Sequence, residues 1–307
     1  MSSSYKRVLI TGANGLLGQK LTACFAQDSN IDLLTSSRQA ESKSKDYSFG
    51  YIHLDITDTK SVKELIWNFE PDYIINSGAY TNVDGCEREK ELSWRINVTG
   101  VENLVNAARL VGSKIVHVST DYIFDGQKGP YDEHATPHPL SYYGRGKLAS
   151  ENVLRSSGKH WSIIRTMVVY GIANELNNNF ATWLVQELSK GNKVTIVDDQ
   201  IGNTTLADDL ANGIYLLVKK GKKGIYNMAG SDIISRYDFA VALAKAFNFD
   251  TSLISPIKTK DLNQLAPRPL NSGLITLKAE SELGYRFLSL KESLRLFKSQ
   301  YLAQKVH

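Results

Sequence analysis

Val8-Leu-Ile-Thr-Gly-Ala-Asn-Gly-Leu-Leu-Gly18 decides the architecture. Its first four residues read as a buried strand, and Leu16 opens a segment of helical period. Gly12 permits a tight turn between them. Gly15 lets the backbone approach a pyrophosphate, and Gly18 lets the helix lie close to the sheet. A diphosphate placed there meets free N–H groups and the positive end of the helix dipole. The expected dinucleotide contacts are therefore Gly12, Asn14, Gly15, Leu16, Leu17 and Gly18. A glycine triplet alone is a weak signal, but this one follows a strand, opens a helix and begins an alternating chain.

Outward from the loop, short β-branched runs fall at 8–11, 31–35, 51–54, 73–76, 114–119 and 161–165. Longer segments of helical period separate them; over 91–110, Ile96, Leu104, Val105 and Ala108 can share a face. This alternation predicts an α/β fold, a Rossmann doubly wound parallel sheet with helices on both sides. After Tyr170 the rhythm loosens, with a polar break at Asn177-Asn178-Asn179. Helices are expected over 180–189 and 206–219, with a strand over 194–197 between them. Ser235-Arg-Tyr-Asp238 has capping-box form before another helical stretch. Ala266-Pro-Arg-Pro269 cannot be interior helix or central strand. The expected division is an NAD(P)-binding domain over 1–168, with part of 198–220 crossing back, and a smaller C-terminal α/β substrate domain occupying most of 169–307.

The chain has 307 residues, 42% hydrophobic and 22% charged, with a net charge of +4. That is an ordinary globular composition. The one basic cluster, Lys219, Lys220, Lys222 and Lys223, lies where a helix should end and complements its dipole, so no nucleic-acid partner is expected. Two isolated cysteines, Cys24 and Cys86, match no metal or disulfide pattern and fit a reducing compartment; Cys24 is expected in the core. Met1-Ser-Ser-Ser-Tyr-Lys-Arg7 lacks an apolar signal region. No apolar run approaches the roughly 18 residues that span a bilayer. A soluble, cytoplasmic protein without membrane or metal partner is expected, and a homodimer is compatible with the sequence.

Tyr143-Gly-Arg-Gly-Lys147 places a phenol and an ammonium at i and i+4 on one helix face. A phenol of pKa about 10 relays protons poorly at neutral pH, and a fixed ammonium nearby should lower that value. Lys147 could also hold a nicotinamide ribose. Thr120, at the preceding strand end, would complete a clamp on a substrate carbonyl. Tyr143 would then donate a proton as hydride arrives from the nicotinamide. The two internal glycines make a poor helix by propensity. Thr35-Ser-Ser-Arg38 ends the second strand where an NAD-specific site would place an acid. Ser37 and Arg38 suit a 2′-phosphate, so NADPH is expected, with NADH the alternative. The competing reading is that Arg38 simply points into solvent.

With these residues placed, the chain resembles the extended short-chain dehydrogenases of the dTDP-4-dehydrorhamnose reductase family, over nearly its whole length. The GxxGxxG spacing agrees. The specific pieces are Thr81-Asn-Val-Asp84, Ser119-Thr-Asp-Tyr-Ile-Phe-Asp-Gly126, Tyr143 to Lys147 with Glu151, Asn179-Phe180, Val197-Asp-Asp-Gln-Ile-Gly202 and Arg268-Pro-Leu-Asn-Ser272. The resemblance implies NAD(P)H-dependent reduction of the C4 ketone of dTDP-4-dehydro-rhamnose to dTDP-rhamnose. It implies a catalytic trio of Thr120, Tyr143 and Lys147, with Asn97 holding a water that links to the lysine; a locally bonded helix asparagine is the competing reading. Cofactor contacts at Asp55, Ile56, Gly78, Ala79 and Tyr80 are implied too, although Asp55 could instead cap a turn. Thr81, Val83, Asp84 and Tyr122 would line the sugar. Asn179, Phe180 and Gln200 would face the nucleotide, and Arg268 could meet the diphosphate. Asp198-Asp199-Gln200 could also be a plain polar turn.

Two departures stand out. Val168 occupies the place where the family often has a tryptophan against the sugar, and Asn203-Thr-Thr205 follows Gly202 where the family favours proline. A sugar-nucleotide 4,6-dehydratase is disfavoured because Tyr122, where a carboxylate is needed, is no base near neutral pH. Two alternatives stay open: an epimerase or another 4-keto-6-deoxyhexose reductase, and a non-catalytic subunit like that of methionine adenosyltransferase.

Overall fold

A computed structural model describes residues 5–44, 49–176 and 179–304. Asn177 and Asn178 of the expected polar break lie outside them. Seven parallel strands form the main sheet in the order Gly224–Asn227, Trp161–Thr166, Lys114–Thr120, Tyr73–Asn76, Lys6–Thr11, Ile31–Ser37, Gly50–His53. Chain order reverses direction beside Lys6–Thr11, where Thr11 pairs with Ser36 on one side and Asn76 on the other. Such a switch point opens a crevice at the carboxyl ends of the strands. The six runs read from the sequence are all present. The seventh strand, Gly224–Asn227, carries only Ile225 and Tyr226 as apolar residues and gave no run to detect.

Apolar layers cover both sheet faces. Leu21 and Phe25 of helix Leu16–Phe25 share one buried cluster with Leu210, Ile214 and Leu217 of helix Ala207–Lys219. Leu9, Ile74 and Ile115 pack on the other face against Val62, Ile66, Val101 and Leu104. A separate cluster joins helices Phe180–Ser189, Arg236–Phe247 and Leu290–Gln304 through Leu184, Phe239, Leu243 and Phe297. Cys24 does not enter the core as expected: its helix turns it to a half-buried edge, where Sγ donates to Asn212 Oδ1 at 3.4 Å. The lysine cluster does end helix Ala207–Lys219, and Lys222 pairs with Glu282 at 3.1 Å.

The helix expected over 91–110 is three pieces: Lys90–Trp94, a π-helical turn Arg95–Thr99, and Gly100–Val111. Such insertions recur at functional sites. Among the described residues no helix is long and apolar enough to cross a membrane, and no metal-binding cluster of His, Cys, Asp or Glu occurs.

Candidate active site

The glycine loop fits a diphosphate. A Cβ on Gly12 would lie 2.5 Å from Gly78 N, and one on Gly18 would lie 2.1 Å from Gly12 O. Neither position tolerates a side chain. Gly15 caps helix Leu16–Phe25 without a side-chain hydrogen bond, and no acid occupies the first turn. The first N–H groups are therefore left for an anion. Asn14 Nδ2 donates to Gln39 Oε1 at 2.7 Å and its Oδ1 accepts from Lys43 N at 2.9 Å, fastening the segment after the second strand onto this loop. Ser37 Oγ meets Tyr51 Oη at 2.8 Å. Arg38 is exposed at the rim. Asp55 Oδ1 accepts from Thr57 N at 2.9 Å, so this carboxylate caps its own turn. Ile56 packs over Gly100, where a Cβ would sit 2.7 Å from Ile56 Cγ1.

Strand Lys114–Thr120 and helix Tyr142–Ser156 carry the candidate chemistry. Ser141 caps the helix, its Oγ accepting from Gly144 N at 3.2 Å. Gly144 answers the propensity objection: a Cβ there would meet Tyr122 O at 2.2 Å, so only glycine lets this helix abut the turn after Thr120. The Tyr122 and Tyr143 rings then meet edge to face, with centroids 5.6 Å apart. Glu151 locks the helix from below. It is fully buried and accepts from Ser119 Oγ at 2.7 Å and from Arg165 Nε and Nη2 at 3.1 and 2.9 Å.

Lys147 Nζ donates to Val118 O at 2.7 Å and lies 3.0 Å from His117 Nε2. Burial lowers the lysine to a pKa of about 8, although Glu151 opposes the shift. Burial, with the Lys147 charge second, also holds His117 well below its ordinary value, so this imidazole is neutral, its Nδ1 accepting from Asn76 Nδ2 at 3.1 Å. The expectation that Lys147 would depress Tyr143 fails. Burial first, and the Asp121 carboxylate second, push the phenol well above its ordinary value, against a lowering contribution from Thr120. The low-dielectric surroundings disfavour a phenolate more than this ammonium supports one.

Thr120 Oγ1 donates to Asp121 Oδ1 at 3.0 Å, and Ser272 Oγ donates to Asp121 Oδ2 at 2.6 Å. Burial raises Asp121 to about 6, against both hydroxyls. Tyr122 is raised by burial and then by Asp121, which keeps it protonated and so unavailable as a base near neutral pH. Asn97 turns to the Tyr80 backbone, donating to Tyr80 O at 3.0 Å and accepting from Tyr80 N at 2.8 Å. Both ends of its amide are thereby used, and its side-chain bonds shape the Gly78-Ala79-Tyr80 segment rather than reach Lys147.

The residues expected around the substrate divide into two groups. Tyr122, Gln200 and Val168 line one cavity with Asp121 and Ser272. Thr81 is exposed, and Val83 begins the helix Val83–Arg88. Asp84 and Arg268 do not act separately on sugar and diphosphate; Arg268 Nη1 donates to Asp84 Oδ1 at 2.6 Å, and Ala266 N donates to the same oxygen at 2.9 Å. Asn179 caps helix Phe180–Ser189, accepting from Thr182 N at 3.2 Å and donating to Gly171 O at 2.9 Å, which consumes both ends of its amide. Phe180 lies under the Arg236 guanidinium, which itself lines that cavity. Gln200 Nε2 donates to Thr259 Oγ1 at 3.1 Å. Val168 adopts φ +46°, a strained setting for a β-branched residue.

Sequence reasoning missed His117, Asp121, Arg236 and Ser272. His117 had a signal. It alternates with Ser119 on one face of an apolar strand, and that face meets helix Tyr142–Ser156.

Residues 6–302 match the family model described as "RmlD substrate binding domain". The dTDP-4-dehydrorhamnose reductase of Aggregatibacter actinomycetemcomitans is 36% identical, over 91% of this chain and 93% of its own length. Methionine adenosyltransferase 2 subunit beta of Xenopus laevis is 33% identical over 90% of this chain and 82% of its own. Among solved structures, dTDP-4-dehydrorhamnose reductase from Bacillus anthracis in complex with NADP superposes with a TM-score of 0.86 at 30% identity, covering 96% of this chain and 99% of that one.

Proposed function

The chain belongs to the dTDP-4-dehydrorhamnose reductase family, and on that footing we propose that it reduces the C4 ketone of dTDP-4-dehydro-β-L-rhamnose to give dTDP-L-rhamnose. It is an NAD(P)H-dependent oxidoreductase, and bound NADPH would supply the hydride. The observation that carries the reading is that Thr120, Tyr143 and Lys147 gather at the carboxyl end of strand Lys114–Thr120, with one strand between it and the strand that bears the glycine cradle. Ser37 and Arg38 in place of an acid, together with the Bacillus anthracis relative's NADP, support NADPH.

In this reading Tyr143 stays a neutral phenol at physiological pH, the protonation state a donor to the C4 oxygen requires. Thr120 adds a second hydroxyl at that oxygen. Lys147, held by Val118 O and His117, is aimed at the nicotinamide ribose. Residues 1–168 would hold the cofactor and most of 169–307 the sugar nucleotide.

Steady-state turnover tests the proposal. NADPH oxidation that requires a dTDP-4-keto-6-deoxyhexose supports it, and product analysis fixes the hexose. Turnover without net cofactor oxidation would assign an epimerase instead. The identity to a methionine adenosyltransferase subunit favours one second reading, a non-catalytic partner. An intact Thr120, Tyr143 and Lys147 speaks against it, and absence of turnover with every ketosugar would revive it.

A further inference from the structure

Arg236 opens helix Arg236–Phe247, whose cap is already built from its neighbours. Ser235 Oγ accepts from Asp238 N at 3.0 Å and donates to Asp238 Oδ2 at 2.7 Å. The Arg236 backbone N donates to Gln200 O at 3.0 Å. These bonds fix where the side chain starts. The guanidinium then lies over the Phe180 ring, its Cζ 5.3 Å from the centroid, and lines the cavity shared by Asp121, Tyr122 and Gln200.

This cation has no carboxylate partner. Among the described residues no ion pair or side-chain hydrogen bond holds the guanidinium. Asp121, the acid that faces the same cavity, spends both oxygens on Thr120 and Ser272. Arg268, the second cation near Tyr122, is already paired to Asp84. An arginine cannot shed its proton to relieve burial, and even a partly buried charge without a partner is costly. A site that keeps one is suited to an incoming anion, and a guanidinium binds phosphate oxygens through paired N–H donors.

We propose that Arg236 is the principal anchor for the diphosphate of the sugar nucleotide, seated between Tyr122 on the sugar side and Phe180 on the nucleotide side. This rests on the reductase reading above. Phe180 then has two tasks: its face holds the guanidinium in position, and its flank would border the nucleotide. Arg268, tied to Asp84, serves mainly to fasten its own loop.

Equilibrium binding of dTDP and of thymidine to the full chain tests the assignment, using wild type, Arg236→Met, Arg236→Lys and Arg268→Met. Arg236→Met should weaken dTDP by roughly ten- to one-hundred-fold, the worth of charge-assisted hydrogen bonds. Thymidine affinity should stay unchanged, and Arg236→Lys should recover part of the loss. Equal dTDP affinity in wild type and Arg236→Met overturns the assignment, as does a larger loss in Arg268→Met. Loss of thymidine binding in both Arg236 variants would make the residue part of the fold and overturn it too. A wild-type chain that binds no dTDP, yet remains folded, overturns both this assignment and the reading it rests on.

Discussion

The Arg165 guanidinium holds the Glu151 carboxylate at two points, 3.1 Å from Nε and 2.9 Å from Nη2, with both side chains sealed from solvent. Glu151 lies one helical turn beyond Lys147, so this pair sets the depth of the helix that carries Tyr143. Removing Glu151 leaves the Arg165 guanidinium buried without a carboxylate, its remaining bond one to Glu133 O. Glu151→Ala should therefore cost about 3–5 kcal/mol of unfolding free energy in urea titration. A change under about 1 kcal/mol would show that the pair does not hold the helix.

Gly144 is the contact point between that helix and the turn after Thr120. Gly144→Ala sets a methyl against Tyr122 O, which cannot move without shifting Tyr122 itself. We expect kcat/KM to fall at least about ten-fold, since displacements near 1 Å at a reacting centre carry large rate penalties. NADPH affinity should hold. Unchanged kcat/KM would mean that the Tyr122–Tyr143 arrangement is not needed.

Lys147 gives a pH signature with a definite sign. Its folded pKa, about 8, lies below its ordinary value of 10.5. Above the unfolded pKa both states are neutral and burial costs nothing. As pH falls from 10.5 to about 8, the unfolded chain takes up the proton first and the native state loses ground. The loss amounts to about 3 kcal/mol and is complete below that window. Lys147→Met should thus gain on wild type by that amount between the two pH limits. A stability difference that does not vary with pH would contradict this.

Val168 combines a positive φ with a β-branched side chain at the cavity wall. Backbone strain of this kind is worth on the order of 1–3 kcal/mol. Val168→Gly relieves it, and should leave stability level or raise it by about 1 kcal/mol in thermal unfolding, while a loss above that size would mean that the valine's packing outweighs the strain.

The fold was legible in the sequence wherever periodicity was strong. The six apolar strand runs and the glycine loop needed no tertiary information. The strand Gly224–Asn227 was not legible, because its neighbours rather than its composition make it a strand. The site was legible where spacing carries chemistry, as for Tyr143 and Lys147. It was not legible where partners come from distant segments: Asp84 meets Arg268 across 184 positions and Asp121 meets Ser272 across 151. Asn97 and Asn179 were placed by resemblance, and the structure shows each amide spent on nearby backbone.

The most direct test is single-turnover reduction of a dTDP-4-keto-6-deoxyhexose by wild type and Tyr143→Phe, with NADPH affinity measured in parallel. Removal of the proton donor should slow the chemical step by roughly 10²- to 10⁴-fold and leave NADPH affinity within about a factor of two, since the phenol would act on the ketone rather than on the diphosphate. Near-normal turnover in Tyr143→Phe would contradict the assignment of Tyr143 as the donor.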